Sequence, residues 1–174
     1  LIQFNHIVIG HNQIYTFYLG YPFFKDIIKE EKLNQKRIDK KIIVVAADLR
    51  KSKLHKTFDK DNNKGLSTYL SNQHQLDQVI QKTEIENLDF IPAGPNPPNP
   101  SELLHTPRMT QIIKELSSRY DFVLIDTAPV GLVSDSIPIV RQADINLFVI
   151  RSGVSRFTAA TIPERLSREY NLNN

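Results

Sequence analysis

The segment Asp121-Phe122-Val123-Leu124-Ile125-Asp126-Thr127-Ala128-Pro129 constrains the fold more than any other stretch of the 174-residue chain. Phe, Val, Leu and Ile follow one another with no polar face, which fits a parallel strand covered on both sides. The run closes on a carboxylate, Asp126, followed by Thr127 and Pro129. In open α/β sheets ligands bind at the carboxyl ends of the strands, where Asp126 would stand. A carboxylate there suits hydrated Mg²⁺ beside phosphates, because Mg²⁺ takes few protein ligands and keeps its waters. The alternative is a strand that ends in an Asp serving the next turn, a common use of the residue.

Other segments extend this into a wound sheet. Ile42 to Val45, Leu88 to Ile91 and Ile145 to Ile150 read as further buried strands, with helical patterns between several of them. Strands alternating with helices predict an α/β fold, a mostly parallel sheet flanked by helices. A helix is expected after Asn99, with Pro100 at its first position and Met109, Ile112, Ile113 and Leu116 on its inner face. A second is expected from near Asp135 to Arg141, with Ile137 and Val140 inward and Pro138 in its first turn. Leu66, Tyr69 and Leu70 also have helical spacing, whereas Lys51 to Lys64 reads as a polar surface connection. Phe23 to Ile38 carries Phe24, Ile27 and Ile28 on one helical face.

With 40% hydrophobic residues and the length of one ordinary α/β domain, residues 1–174 are expected to form a single domain. The charge of +3, from 22 basic and 19 acidic residues, is too small to argue for nucleic acid. The absence of Cys excludes disulfides, thiolate metal sites and a Cys nucleophile. No apolar run reaches the roughly 18 residues of a membrane-spanning helix. A first residue of Leu rather than Met suggests a fragment. The five His show no metal spacing, and no Gly-x-Ser-x-Gly elbow is present.

A second acid follows the first strong strand, in Ala46-Ala47-Asp48-Leu49-Arg50-Lys51. Asp48 and Asp126 on two parallel strands could share a cation, with Arg50 and Lys51 offered to phosphate oxygens. The plainer reading is a β-turn Asp followed by a solvated basic loop.

Ala47 to Lys51, Gly65-Leu66-Ser67 with Tyr69-Leu70, Ala93-Gly94-Pro95-Asn96-Pro97-Pro98-Asn99-Pro100-Ser101-Glu102-Leu103-Leu104, and Tyr120 through Gly131 follow in this order. In order and spacing they resemble the bacterial tyrosine kinases, the cytoplasmic domains of capsular and exopolysaccharide chain-length proteins. The resemblance covers residues 41–156, with the proline segment its most specific part, and leaves residues 1–40 divergent. It implies a P-loop NTPase-like three-layer fold and an autokinase that uses ATP and Mg²⁺ to phosphorylate tyrosines on a neighbouring copy in a ring. Asp126 matches the family's Walker B acid and Asp48 the second acid of its A' motif, both expected near Mg²⁺, with Asp48 also near the attacking hydroxyl. Arg50, Thr127 and Arg151 are the expected nucleotide contacts; a turn cap at Thr127 and an exposed turn residue at Arg151 are equal alternatives. The expected partners are a membrane-embedded adaptor segment and other copies of the chain, and the expected place is the inner face of the cell membrane.

The departures from the pattern are specific. Ala46 stands where many members carry an acid two residues before Asp48. No Lys follows a Gly anywhere in the chain, so Gly-x-x-x-x-Gly-Lys-Ser/Thr is missing. With a strand at His6 to Ile9, the loop would fall on Gly10 to Phe17, where Thr16 would stand in for the Mg²⁺-binding hydroxyl. Residues 1–40 would then come from a shifted reading frame or from replacement of the loop. The tyrosine-rich tail and the Glu-x-x-Arg-x-x-Arg ring motif are also missing, with Tyr170 alone near the end. The alternatives are a non-catalytic regulatory module of the export machinery and a partitioning-type P-loop ATPase.

Overall fold

The computed structural model describes residues 13–17, 40–128, 134–147 and 161–170. They form a six-stranded sheet with flanking helices. Its strands are β1 (Gln13–Phe17), β2 (Ile42–Ala46), β3 (Gln81–Lys82), β4 (Leu88–Ile91), β5 (Phe122–Asp126) and β6 (Ile145–Leu147), in the order β3-β4-β2-β5-β1-β6. All neighbours pair in parallel except β3, which runs antiparallel to β4 at one edge.

The apolar runs occupy the centre. In β2, Ile43, Val44, Val45 and Ala46 are buried, and in β5 only Leu124 is partly exposed. Side chains of a strand alternate between faces, so burial of successive residues means cover on both faces, as the unbroken hydrophobicity requires. Ile145–Leu147 is the described part of the fourth expected strand; residues 148–150 lie outside the described residues.

The N-terminal expectation is corrected. The strand beside β5 is Gln13–Phe17, inside the segment read as a phosphate loop, while His6 to Ile9 and Phe23 to Ile38 lie outside the described residues. Thr16 is therefore a strand residue, in register with Ile125 on one side and Asn146 on the other, and not a loop hydroxyl. Ile14, Tyr15, Thr16 and Phe17 have the β-branched and aromatic character that suits a pleated sheet.

The helix expected after Asn99 divides in two, α4 (Pro100–Leu104) and α5 (Pro107–Arg119); α1 (Leu54–Thr57), α2 (Leu66–Leu70) and α3 (Leu76–Val79) precede them. Pro107 causes the break. It lacks an N–H and disfavours helical backbone in the residue before it, and Thr106 is extended, with φ −73° and ψ 152°. The inner face of α5 is as the spacing predicts: Met109, Ile112, Ile113 and Leu116 are at most 2% exposed. Residues 51–64 include the one-turn helix α1, anchored by buried Leu54. A 3₁₀ turn (Ser134–Ser136) leads into α6 (Ile137–Val140), where Ile139 and Val140 are buried and Ile137 is only half-buried. An α7 helix (Ile162–Tyr170) follows.

Two motifs of the sequence meet beyond the end of β4. Leu66 N–H donates to Pro92 O at 2.8 Å and Ser67 N–H to Ala93 O at 2.9 Å, while the Asn62 amide grips Gly94 through both its backbone N–H and C=O. The backbones approach so closely that a Cβ on Gly65 would lie 2.2 Å from Pro92 O and 2.4 Å from Gly94 N. Gly94 itself has φ +80°, a conformation costly for other residues. Gly65-Leu66-Ser67 and Ala93-Gly94-Pro95 are thus two halves of one clasp. Gly65→Ala is expected to lower the unfolding free energy by about 1–3 kcal/mol, because backbone cannot yield as a flexible side chain can; chemical denaturation measures it.

Candidate nucleotide site

The pairing of β2 with β5 places Ala46 opposite Asp126, and the pairing of β1 with β5 places Phe17 opposite the same residue. Three neighbouring parallel strands therefore end together. Ala47 N–H continues the ladder to Asp126 O at 2.7 Å, and Asp48 follows one residue later. Both expected acids thus stand at the carboxyl edge of the sheet, where the chain leaves adjacent strands.

Their surroundings differ. Asp126 is 7% exposed and Thr127 3%. Asp48 is half-buried and directs Oδ1 at its own turn, accepting from the N–H groups of Arg50 and Lys51, each at 3.0 Å. Ala46, where an acid would complete the motif, is fully buried.

Arg50 is held at two points. Its Nε donates to Asp135 Oδ2 at 2.8 Å, and its carbonyl accepts from Asn96 Nδ2 at 3.2 Å. Asp135 is 5% exposed. Burial alone would raise the pKa of its carboxyl, but hydrogen bonds from Arg50 and Ser101, with the charges of Arg50 and His105, outweigh it and hold the value below the usual one. The pair joins three motifs: the turn after β2, the proline segment and the 3₁₀ turn after β5. The sequence signalled the Arg but not its partner. Asp135 follows Asp126 by nine residues, and its local sequence signals only a helix start. Arg151 lies outside the described residues.

A cleft of about 450 Å³ opens at the other end of the strands, where Lys41 precedes β2 and Tyr120 precedes β5. There Asp89, buried within β4, accepts from Lys82 Nζ at 2.8 Å and from Tyr120 Oη at 2.7 Å. Burial and this carboxylate both raise the Tyr120 hydroxyl's pKa. The strand-end acids Asp48 and Asp126 are not part of this cleft.

An AAA domain family model matches residues 31–154. The chain belongs to this family, on its bacterial tyrosine kinase branch. It is 40% identical over 113 residues to the tyrosine-protein kinase ptk of Acinetobacter johnsonii, covering 65% of this chain and 15% of that protein. It is 42% identical over 96 residues to the putative tyrosine-protein kinase CapB of Staphylococcus aureus, covering 55% of this chain and 42% of that one. The chain thus spans less than half the length of these relatives. Among solved structures, the kinase domain of Escherichia coli tyrosine kinase ETK superposes with a TM-score of 0.79 at 30% identity, over 93% of this chain and 64% of that one. The septum site-determining protein MinD of Pyrococcus horikoshii, solved with Mg-ADP, superposes at 0.69 with 21% identity, over 92% and 66%, and shares the P-loop NTPase-type fold.

The residues at the strand ends suit one half of a Mg²⁺-nucleotide site. A carboxylate at the end of β5 and another in the turn after the adjacent β2 suit a cation that takes few protein ligands and keeps most of its water. The phosphate half does not fit. The sequence following β1 is Tyr18-Leu19-Gly20-Tyr21-Pro22-Phe23-Phe24-Lys25, with one Gly and no Gly-Lys pair to wrap and neutralise a phosphate. Among the described residues no cluster of three or more His, Cys, Asp or Glu could hold a metal.

The Asp135 carboxyl sets a pH dependence. Its folded pKa lies below the ordinary value, so its stabilisation is complete above that value, about 3.9, and is lost as pH falls through the folded value. Chemical denaturation from pH 6 to pH 2 should give a shallower fall in stability for Asp135→Asn than for the wild type.

Proposed function

We propose that the chain is a kinase-domain piece of a bacterial protein-tyrosine autokinase serving capsular or exopolysaccharide synthesis and export. In this reading Asp48 and Asp126 are its Mg²⁺ half-site, and the phosphate half-site is missing. The carrying observation is the β2–β5 register, which brings Asp126 and the turn of Asp48 to one edge of the sheet. The similarity to tyrosine-protein kinases of capsule and exopolysaccharide systems supports the substrate class.

When bound, Mg²⁺-ATP supplies a γ-phosphoryl group for transfer to a tyrosine hydroxyl, a reaction governed by positioning and charge neutralisation. Asp126 would orient the metal's water shell from its buried strand end. Asp48, more open and without the usual acid two residues before it, is the nearest candidate to accept the tyrosine proton. Thr127, next to Asp126, would face the terminal phosphate, and Arg50 would hold the turn that carries Asp48. The missing Gly-Lys loop removes several donors, and one preorganised donor is typically worth about 10² to 10³ in rate. Phosphotransfer by this chain alone is therefore strongly impaired.

Among the described residues no helix is long and apolar enough to cross a membrane. Action at the inner face of the membrane would rest on a separate adaptor segment, and ring assembly with other copies would need contacts beyond the missing Glu-x-x-Arg-x-x-Arg motif. The absence of Lys after Gly20 favours a second reading, a non-catalytic module that keeps the sheet and docks on the export machinery.

Calorimetry with Mg²⁺-ATP separates the two. The first reading expects weak heat that requires Mg²⁺ and vanishes in Asp126→Asn, together with tyrosine phosphorylation at least about 10²-fold slower than in a relative with an intact loop. No heat at millimolar nucleotide would sink the enzymatic reading and leave the docking module.

A further inference from the structure

The side chain of Asp48 is oriented by its own turn, since its Oδ1 accepts from the N–H groups of Arg50 and Lys51. The orientation of that carboxylate therefore depends on what fixes the turn. Arg50 is fixed from outside by Asn96 on its carbonyl and by Asp135 on its Nε. The two ends of the Arg50–Asp135 pair are unequal: the Arg50 side chain is 45% exposed and that of Asp135 only 7%. The buried carboxylate is the anchor, and the guanidinium is the strut that reaches it.

We infer that Asp135 is a positioning residue for Asp48, acting through Arg50 to set the turn that aims the Asp48 carboxylate. The inference deepens the assignment of Asp48 and Asp126 to a metal half-site and rests on it for its functional meaning. It gives Arg50 a task that needs no phosphate. It also gives the segment after β5 a task, because the chain that leaves Asp126 returns through Asp135 to brace the other acid. Groups bonded directly to a metal ligand typically change metal affinity by about 10- to 100-fold when lost; Arg50, whose N–H bonds Asp48, is such a group, and Asp135 acts one step behind it.

Two measurements on the full chain test this, with Mn²⁺ as the metal probe. The first is amide solvent exchange by NMR at Arg50 and Lys51, with Val44 and Val45 in β2 as internal reference. Asp135→Asn and Arg50→Gln should each speed exchange at Arg50 and Lys51 by about tenfold and leave the reference amides unchanged. Asp135→Glu and Arg50→Lys, which can keep the ion pair, should restore much of the protection. The second is Mn²⁺ affinity by electron paramagnetic resonance, expected to fall about tenfold in Asp135→Asn.

Unchanged exchange at Arg50 and Lys51 in both disruptive variants would overturn the inference. So would equal acceleration at Val44 and Val45, which would mark Asp135 as a general stabiliser. If Asp135→Asn fails to fold, Arg50→Gln alters only a half-exposed side chain and decides the matter. A wild-type chain that binds no Mn²⁺ would refute the metal half-site, while the exchange data would still decide whether Asp135 sets the turn.

Discussion

The parallel pairing of β2 with β5 is the contact on which the rest depends. It sets Ala46 against Asp126, so the chain leaves both strands at the same level, with Asp126 at the end of one and Asp48 two residues beyond the end of the other. A slip of one residue would turn the side chains of a strand to the opposite face. With both central strands covered on both faces, such a slip gains no solvation for any side chain and breaks the match of their apolar surfaces. The register is therefore held by the core, and the edge receives its acids as a consequence of packing.

Three loops are tied together at that edge by polar contacts of unequal kinds. The Gly65–Gly94 clasp is a backbone contact, which demands the absence of side chains. The Asn62 amide and Ser67 Oγ, which donates to Pro95 O at 2.8 Å, fix the start of the proline segment. The Arg50–Asp135 pair is electrostatic and partly buried, so it is less screened than a surface ion pair. The proline segment itself leaves Pro95, Asn96, Pro98 and Asn99 exposed while its anchors are held. Its specificity as a sequence pattern has a physical basis: it must bind α2, the turn after β2 and its own helix start at once.

Much of the sheet was legible because central strands and one amphipathic helix carry periodicities that few other structures share. The runs Ile42 to Val45, Leu88 to Ile91 and Phe122 to Ile125 and the face Met109-Ile112-Ile113-Leu116 all emerge as expected. The break before Pro107 was written in the sequence, but the continuous apolar face across it drew the two helices together. β1 was misplaced because Gln13 to Phe17 has no long apolar run, and its strand form comes from pairing with β5 and β6 on either side. β3 is two residues long and exists only as an edge partner of β4, which no local pattern could signal.

The fold class, the two acids near strand ends, the family and the missing Gly-Lys loop are all readable from residue type and local order. Which residues act together is a matter of how the chain folds back on itself. Asp135 became the partner of Arg50, 85 positions away, and Asp89 the partner of Tyr120, 31 positions away. Such pairs depend on where the sheet brings distant loops, and a buried carboxylate reveals its role only when the cation or hydroxyl that satisfies it stands beside it.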